Sequence, residues 1–425
     1  MQIIMNSGLD TEENVRRICD HLQEVGSPMS IIKNGTGPVV IHTGDMRWGT
    51  IIFIDAMPGI ARIESGSKKI DDMNIAAITR LDSPRSYRNK FRAGPMEQNM
   101  VLCSRAAIRA ILNGTDPRFM VVVGPCSIHD DQAGLEYAKR LAELAEKVRD
   151  RIFVVMRVYF EKPRTTIGWE GLIQDPHLDK SFDMASGLAK ARKFLLQVLC
   201  LELPTATEFV DPITPQYISD LVSLGAIGAR SAEAQAYRRM ASGLSMPIAF
   251  KNGTGGSVQL AVNGVVAART LHSFMGVDLD GRVAQIKTLG NHDCFIVLRG
   301  SSRGTNYDKE SIRAAISRLE EAGVCPILMV DCSHDNSVND LGVKDHSRQG
   351  VVFKDIVDQR AFGNRNILGA MLESNLFEGS QRPEDPKDLK YGVSITDGCI
   401  GWEETEKLLI GAHSALGACA AAPVP

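Results

Sequence analysis

Eight positions in this chain place a reactive or charged side chain at the end of an apolar run. Cys126 closes "FMVVVGPCS", Arg157 breaks "IFVVMRVYF", Glu208 ends "PTATEFVD" and Arg230 ends "LGAIGARS". Lys251 follows in "MPIAFKNG", Arg299 in "CFIVLRG", His334 in "PILMVDCSH" and Glu373 in "ILGAMLESNL". The set divides by chemistry. Cys126, His334, Glu373 and the later Asp397 of "SITDGCIGW" offer a thiolate, an imidazole and two carboxylates, a donor set that suits divalent Mn, Fe, Co or Zn better than Mg or Ca. Arg157, Lys162, Arg164, Arg230, Lys251 and Arg299 form the other group. Like charges repel unless anions lie among them, and arginine pairs with carboxylate and phosphate through two parallel hydrogen bonds. Thr165 and Thr166 add hydroxyl donors beside Arg164. Such a group implies small substrates with several negative charges, phosphate among them. Taken singly, each residue has a structural explanation: Cys126 a core thiol, His334 a satisfied core histidine, Glu373 an ion-pair partner. Only their shared position argues for chemistry.

That position requires the runs to be strands that end on one face. Most of these runs are continuously apolar, the mark of a parallel strand buried on both sides. Helical patterns such as "QAGLEYAKRLAELAEKV", "DMASGLAKARKFLLQVL" and "KESIRAAISRLEEAG" separate them. Eight such units that close on themselves make a (β/α)8 TIM barrel, whose carboxyl-terminal strand ends carry the active site. Insertions are expected at 161–182 and at about 271–293. No G-x-S-x-G elbow is present, and no Ser–His–Asp set is readable from spacing.

Residues 1–66 read as a separate unit. "QIIM" is a strand, and "DTEENVRRICDHLQEVG" places Val15, Ile18, Cys19, Leu22 and Val25 on one helical face, with Asp10 and Glu13 spaced as a capping box and Gly26 as the stop. "MSIIKNGTGPVVIHTG" predicts a hairpin turned at Asn34-Gly35. "WGTIIFIDAMPGI" suits a strand by its β-branched run and a helix by its position; "ARIESGS" closes the unit. The order is that of an α+β, ferredoxin-like (ACT-like) domain. A linker and arm at 67–105 would join it to the barrel at 106–425, with a loose tail at "GACAAAPVP".

Composition narrows the class. Across 425 residues, 48 basic and 51 acidic side chains leave a net charge of −3 without a basic block, so nucleic acid has no electrostatic footprint. No run approaches the ~20 apolar residues of a membrane helix, and "MQIIMNSGLDTEEN" lacks the pattern of a signal peptide. Nine scattered cysteines without a C-x-x-C pair fit a reducing cytoplasm.

From about residue 70 to 418 the motifs resemble a known family. "GPCSIHD", "MRVYFEKPRTTIGWEGLIQDPHLDKSF", "GAIGAR", "FKNGT", "DCSHDNS", "LESNLFEG" and "SITDGCIGWEET" closely resemble the class I 3-deoxy-D-arabino-heptulosonate 7-phosphate (DAHP) synthases. The resemblance implies condensation of phosphoenolpyruvate with D-erythrose 4-phosphate at the head of the shikimate pathway. It implies Cys126, His334, Glu373 and Asp397 as metal ligands, with Lys162, Cys126 and His334 in the catalytic group. Arg157, Lys162, Ala229, Arg230, Lys251 and Arg299 would hold phosphoenolpyruvate near Glu208, and Arg164 with Thr165 the sugar phosphate. A homo-oligomer, tetramer or dimer, and an aromatic amino-acid effector are further implications. Asn375 stands where relatives often carry His. Residues 1–66 look like the regulatory domain of a different branch of the family, which leaves the effector and its site open. Two alternatives are a related synthase using another sugar, against which "KPRTT" argues, and a catalytically dead sensor, against which the four ligands argue.

Overall fold

The computed structural model describes every residue except 7, 10, 34–38, 45, 65–71, 73, 165–167, 340, 383–385 and 419–425. The expected hairpin turn at Asn34-Gly35, Thr165, Thr166 and the tail beyond Ala418 lie outside the described residues. The chain divides into two compact units, Met1–Arg80 and Leu81–Pro425.

The first unit runs β1 (Gln2–Met5), α1 (Glu12–Glu24), β2 (Met29–Lys33), β3 (Val39–Thr43), α2 (Trp48–Asp55) and β4 (Ile60–Glu64), in the sheet order β2-β3-β1-β4. This is the ferredoxin-like plan. The segment that suited strand or helix is α2, which buries Ile54 while leaving Ile52 and Phe53 outside. Thr11 caps α1, its hydroxyl accepting from Asn14 N at 3.3 Å; the expected cap Asp10 lies outside the described residues. Val15, Ile18 and Leu22 face the core with Ile3, Met5, Val39, Ile41 and Ile54, whereas Val25 is exposed past the helix end.

The second unit opens with α3 (Pro84–Lys90) and α4 (Pro95–Leu112). Strands β5 (Phe119–Gly124), β6 (Ile152–Arg157), β7 (Thr205–Glu208), β8 (Leu224–Ile227) and β9 (Ile248–Lys251) follow. The hairpin β10 (His272–Val277)–β11 (Val283–Thr288) comes next, then β12 (Cys294–Leu298), β13 (Leu328–Asp331) and β14 (Ile367–Glu373). All eight strands other than the hairpin are parallel and close as a barrel, β14 pairing with β5 through Glu373 and Gly124. The expected insertions are the loop after β6 and this hairpin.

Alternation along each strand sends one set of side chains outward to the helices and the other into the barrel. Met120, Val122, Val155, Ala206, Ala226, Phe295, Val297 and Met329 form the inner cluster. Ile108, Ile111 and Leu112 of α4 pack into the same cluster and plug it from the end away from the carboxyl termini. Among the described residues no helix is long and apolar enough to cross a membrane.

Candidate active site

Four of the eight expected residues (Arg157, Glu208, Lys251 and Glu373) are the last residues of their strands; Arg299, Cys126, Arg230 and His334 sit one to three positions beyond. Barrel closure brings them together. Cys126 Sγ, a Glu373 carboxylate oxygen and an Asp397 carboxylate oxygen all lie within 4.8 Å of one another. Cys126 Sγ is 3.8 Å from Asp397 Oδ2 and receives a hydrogen bond from Lys162 Nζ at 3.0 Å. His334 stands at the edge of this trio, its Nε2 3.9 Å from Glu373 Oε1. Its backbone is left-handed at φ 57°, a conformation a non-glycine residue adopts only when its surroundings enforce it; Ser337 Oγ donates to its carbonyl at 3.1 Å.

The electrostatics of the trio are those of a cation cage. Burial and the Glu373 carboxylate push the Cys126 thiol up to about 11. Burial works against the Lys162 ammonium, but Cys126 and Glu373 outweigh it and raise its pKa. Asp397 opens onto the mouth; its partial enclosure favours the neutral acid, yet Lys162, His334 and Lys344 hold it well below the usual carboxylate range. Burial opposes the Glu373 charge too, and His334 and Arg157 overcome it. A thiol, an imidazole and two carboxylates so placed fit a divalent transition metal.

Beside the cage lies a cavity of about 250 Å³ whose charged lining, among the described residues, is Lys162, Arg164, Arg230, Lys251, Arg299 and Lys344 against Glu208 and Asp397. Ala229, Gly228, Pro163, Thr254 and His334 complete its wall. Six cations against two carboxylates favour a polyanionic ligand. The wall depends on close backbone approaches. A methyl group on Gly228 would lie 2.2 Å from Glu208 Oε1, so glycine lets that carboxylate lie flat on the turn after β8. Gly300 has φ 72°, and a methyl there would meet the Asp335 carbonyl carbon at 2.3 Å, so glycine lets the turn after β12 pack against the segment that carries Asp335. Arg299 then pairs with Asp335 at 2.6 Å. Arg230 donates to the Pro163 carbonyl at 3.2 Å and joins the loop after β8 to the loop after β6.

Arg157 is placed differently from the other cations. It is fully buried beneath the cage and does not line the cavity. Its guanidinium donates to Glu373 Oε1 at 2.8 Å and to the carbonyls of Cys126 and Pro125 at 3.2 Å, over the Tyr159 ring at 3.5 Å. Sequence reasoning missed Tyr159, Asp331, Asp335 and Lys344. Asp331 carried a signal, a lone carboxylate inside "ILMVDC". It is fully buried, 3.0 Å from both Lys251 Nζ and His334 Nδ1.

Residues 90–410 match the DAHP synthetase I family. The Tyr-sensitive phospho-2-dehydro-3-deoxyheptonate aldolase of Escherichia coli K12 is 48% identical over 348 residues, covering 82% of this chain and 96% of that protein. The phenylalanine-inhibited aldolase of the same name from Saccharomyces cerevisiae is 44% identical over 351 residues, 80% of this chain and 93% of that one. A solved phospho-2-dehydro-3-deoxyheptonate aldolase from Francisella tularensis SCHU S4 superposes with a TM-score of 0.78 at 43% identity, over 81% of this chain and 99% of that one.

Proposed function

Since this chain belongs to the DAHP synthetase I family and is a 3-deoxy-7-phosphoheptulonate synthase, we propose that it condenses phosphoenolpyruvate with D-erythrose 4-phosphate and water, releasing inorganic phosphate. One observation carries the reading: a buried thiol, two carboxylates and an imidazole meet beside a cavity walled by six cations. Lys251, Arg230 and Arg299 hold the carboxylate and phosphate of phosphoenolpyruvate against Ala229 and Glu208. Arg157 acts from below by fixing Glu373. Arg164 and Thr165 take the phosphate of the sugar.

Cys126, His334, Glu373 and Asp397 would hold a divalent metal, which when bound supplies a Lewis acid for the sugar aldehyde. The rest falls to side chains. The cations screen the repulsion between the two anionic substrates and hold the enol carbon of phosphoenolpyruvate against the aldehyde carbon. As the carbon–carbon bond forms, the aldehyde oxygen gains charge and needs a proton, and Lys162 Nζ stands beside the cage with one to give. Water adds to the cationic carbon, and phosphate then leaves by carbon–oxygen cleavage. The names of the relatives above, Tyr-sensitive and phenylalanine-inhibited, support inhibition of this chain by an aromatic amino acid as well; residues 1–66, with their ferredoxin-like plan, are one candidate for the regulatory domain, the barrel and its arm another.

Phosphate release from phosphoenolpyruvate, measured with erythrose 4-phosphate, with arabinose 5-phosphate and without sugar, tests the reading. Release only with erythrose 4-phosphate is the expected result. Equal release with the five-carbon sugar would refute it.

A further inference from the structure

Asp331 ends β13 with no exposed surface, and both of its carboxylate oxygens are engaged. Oδ1 accepts from the Ser333 backbone N at 3.0 Å and from Ser333 Oγ at 2.9 Å. Oδ2 accepts from Lys251 Nζ at 3.0 Å and lies 3.0 Å from His334 Nδ1. Asn336 Nδ2 donates to the Asp331 carbonyl at 2.9 Å, so the backbone is fixed too. These contacts fix which way the imidazole faces. Ser333 Oγ donates to Asp331 and lies 2.6 Å from His334 Nδ1, so Nδ1 is held between that hydroxyl and the Asp331 carboxylate. Nε2 is thereby turned toward Glu373, at 3.9 Å. A carboxylate behind a histidine is a common way to orient a metal-ligating imidazole and raise its basicity. Here the same oxygen also holds a cavity lysine from a strand 80 residues away.

We propose that Asp331 is a positioning residue that ties the two halves of the site together, aiming His334 Nε2 at the metal cage while anchoring Lys251 for the phosphoenolpyruvate anion. The proposal rests on the metal and phosphoenolpyruvate assignments above. It gives one buried side chain control over two affinities, although it touches neither ligand.

Asp331→Asn keeps the shape and removes the charge. Metal-free full-length protein is titrated with Co(II), read through the sulfur-to-cobalt charge-transfer band expected from Cys126. Phosphoenolpyruvate binding to the metal-free protein is read by calorimetry, and thermal melting is followed as a control. In the variant, cobalt affinity falls about 10- to 100-fold, and phosphoenolpyruvate affinity falls about tenfold as Lys251 loses a charged partner. Either affinity staying within about twofold of the parent overturns the proposal, since about twofold is well below the loss of one such hydrogen bond. If Asp331→Asn does not fold, Ser333→Ala replaces it: cobalt affinity falls while phosphoenolpyruvate affinity is kept, and an unchanged cobalt affinity overturns the proposal. A parent protein that takes up cobalt without the sulfur band refutes the cage assignment itself and this proposal with it. A loss seen only in the variant leaves the cage assignment standing.

Discussion

Lys162 Nζ donates to Cys126 Sγ at 3.0 Å, and the same ammonium reaches the Cys126 carbonyl at 3.3 Å. The loop after β6 is thereby fastened to the cage by a cation. Lys162 is buried and held charged, so it acts on charge that develops inside the site. Lys162→Met is expected to lower kcat by about 10²- to 10³-fold, the usual effect of removing one preorganised stabilising donor. Steady-state kinetics with both substrates checks it; a change confined to KM would assign Lys162 to binding alone.

Arg157 and Glu373 make a second relationship, a fully buried ion pair at 2.8 Å. Breaking such a pair from one side strands a buried charge and costs about 3–5 kcal/mol. Arg157→Met should show that loss in urea unfolding, and the loss should shrink when a divalent metal is present to neutralise Glu373. An equally stable variant would mean that Glu373 is not charged in the native protein.

Glu161 predicts a pH dependence. It is buried at the start of the same loop, accepting from Gln174 Nε2 at 2.9 Å, Thr214 Oγ1 at 3.0 Å and Val210 N at 3.3 Å. Burial pushes its carboxyl up to about 7, and these hydrogen bonds offset burial only in part. Between its ordinary value of 4.5 and about 7 the folded protein binds more protons at this site than the unfolded chain. Its contribution is therefore fully present below 4.5 and is lost as pH rises through about 7. The size is on the order of 3 kcal/mol. Urea unfolding of the parent and of Glu161→Gln from pH 5 to 8 should show the parent losing stability relative to the variant. Parallel profiles would contradict this.

The barrel was legible because parallel strands buried on both faces read as unbroken apolar runs, so a terminal Glu208, Lys251 or Glu373 stands out. The cage was legible in part for a related reason: Cys126 and His334 lie just past such ends, whereas Asp397 lies well beyond β14. What the sequence hid was burial and pairing across distance. Arg157 reads like the other cations, yet it lies under the cage because its neighbours Glu373 and Tyr159 enclose it. Asp331 looks like an interruption in a strand until closure brings Lys251 beside it. The segment Trp48–Asp55 was open between strand and helix because its β-branched run contradicts the role that its place in the unit requires.

Residues 1–66 carry the regulatory prediction. Calorimetric titration of the full chain and of a chain lacking 1–66 with phenylalanine, tyrosine and tryptophan, alongside activity, should show one amino acid binding and inhibiting only the full chain. Inhibition that survives the deletion would place the effector site on the barrel or its arm.

The central claim is that Cys126, with Glu373, Asp397 and His334, binds the metal on which the condensation depends. The most direct test is phosphate release from phosphoenolpyruvate and erythrose 4-phosphate by chelator-treated parent and Cys126→Ser proteins, as Mn(II) or Co(II) is added back. The parent should be inactive without metal and recover with it, whereas Cys126→Ser should bind metal weakly and stay inactive. Full activity in Cys126→Ser with parental metal content, or in the chelated parent, would contradict the claim.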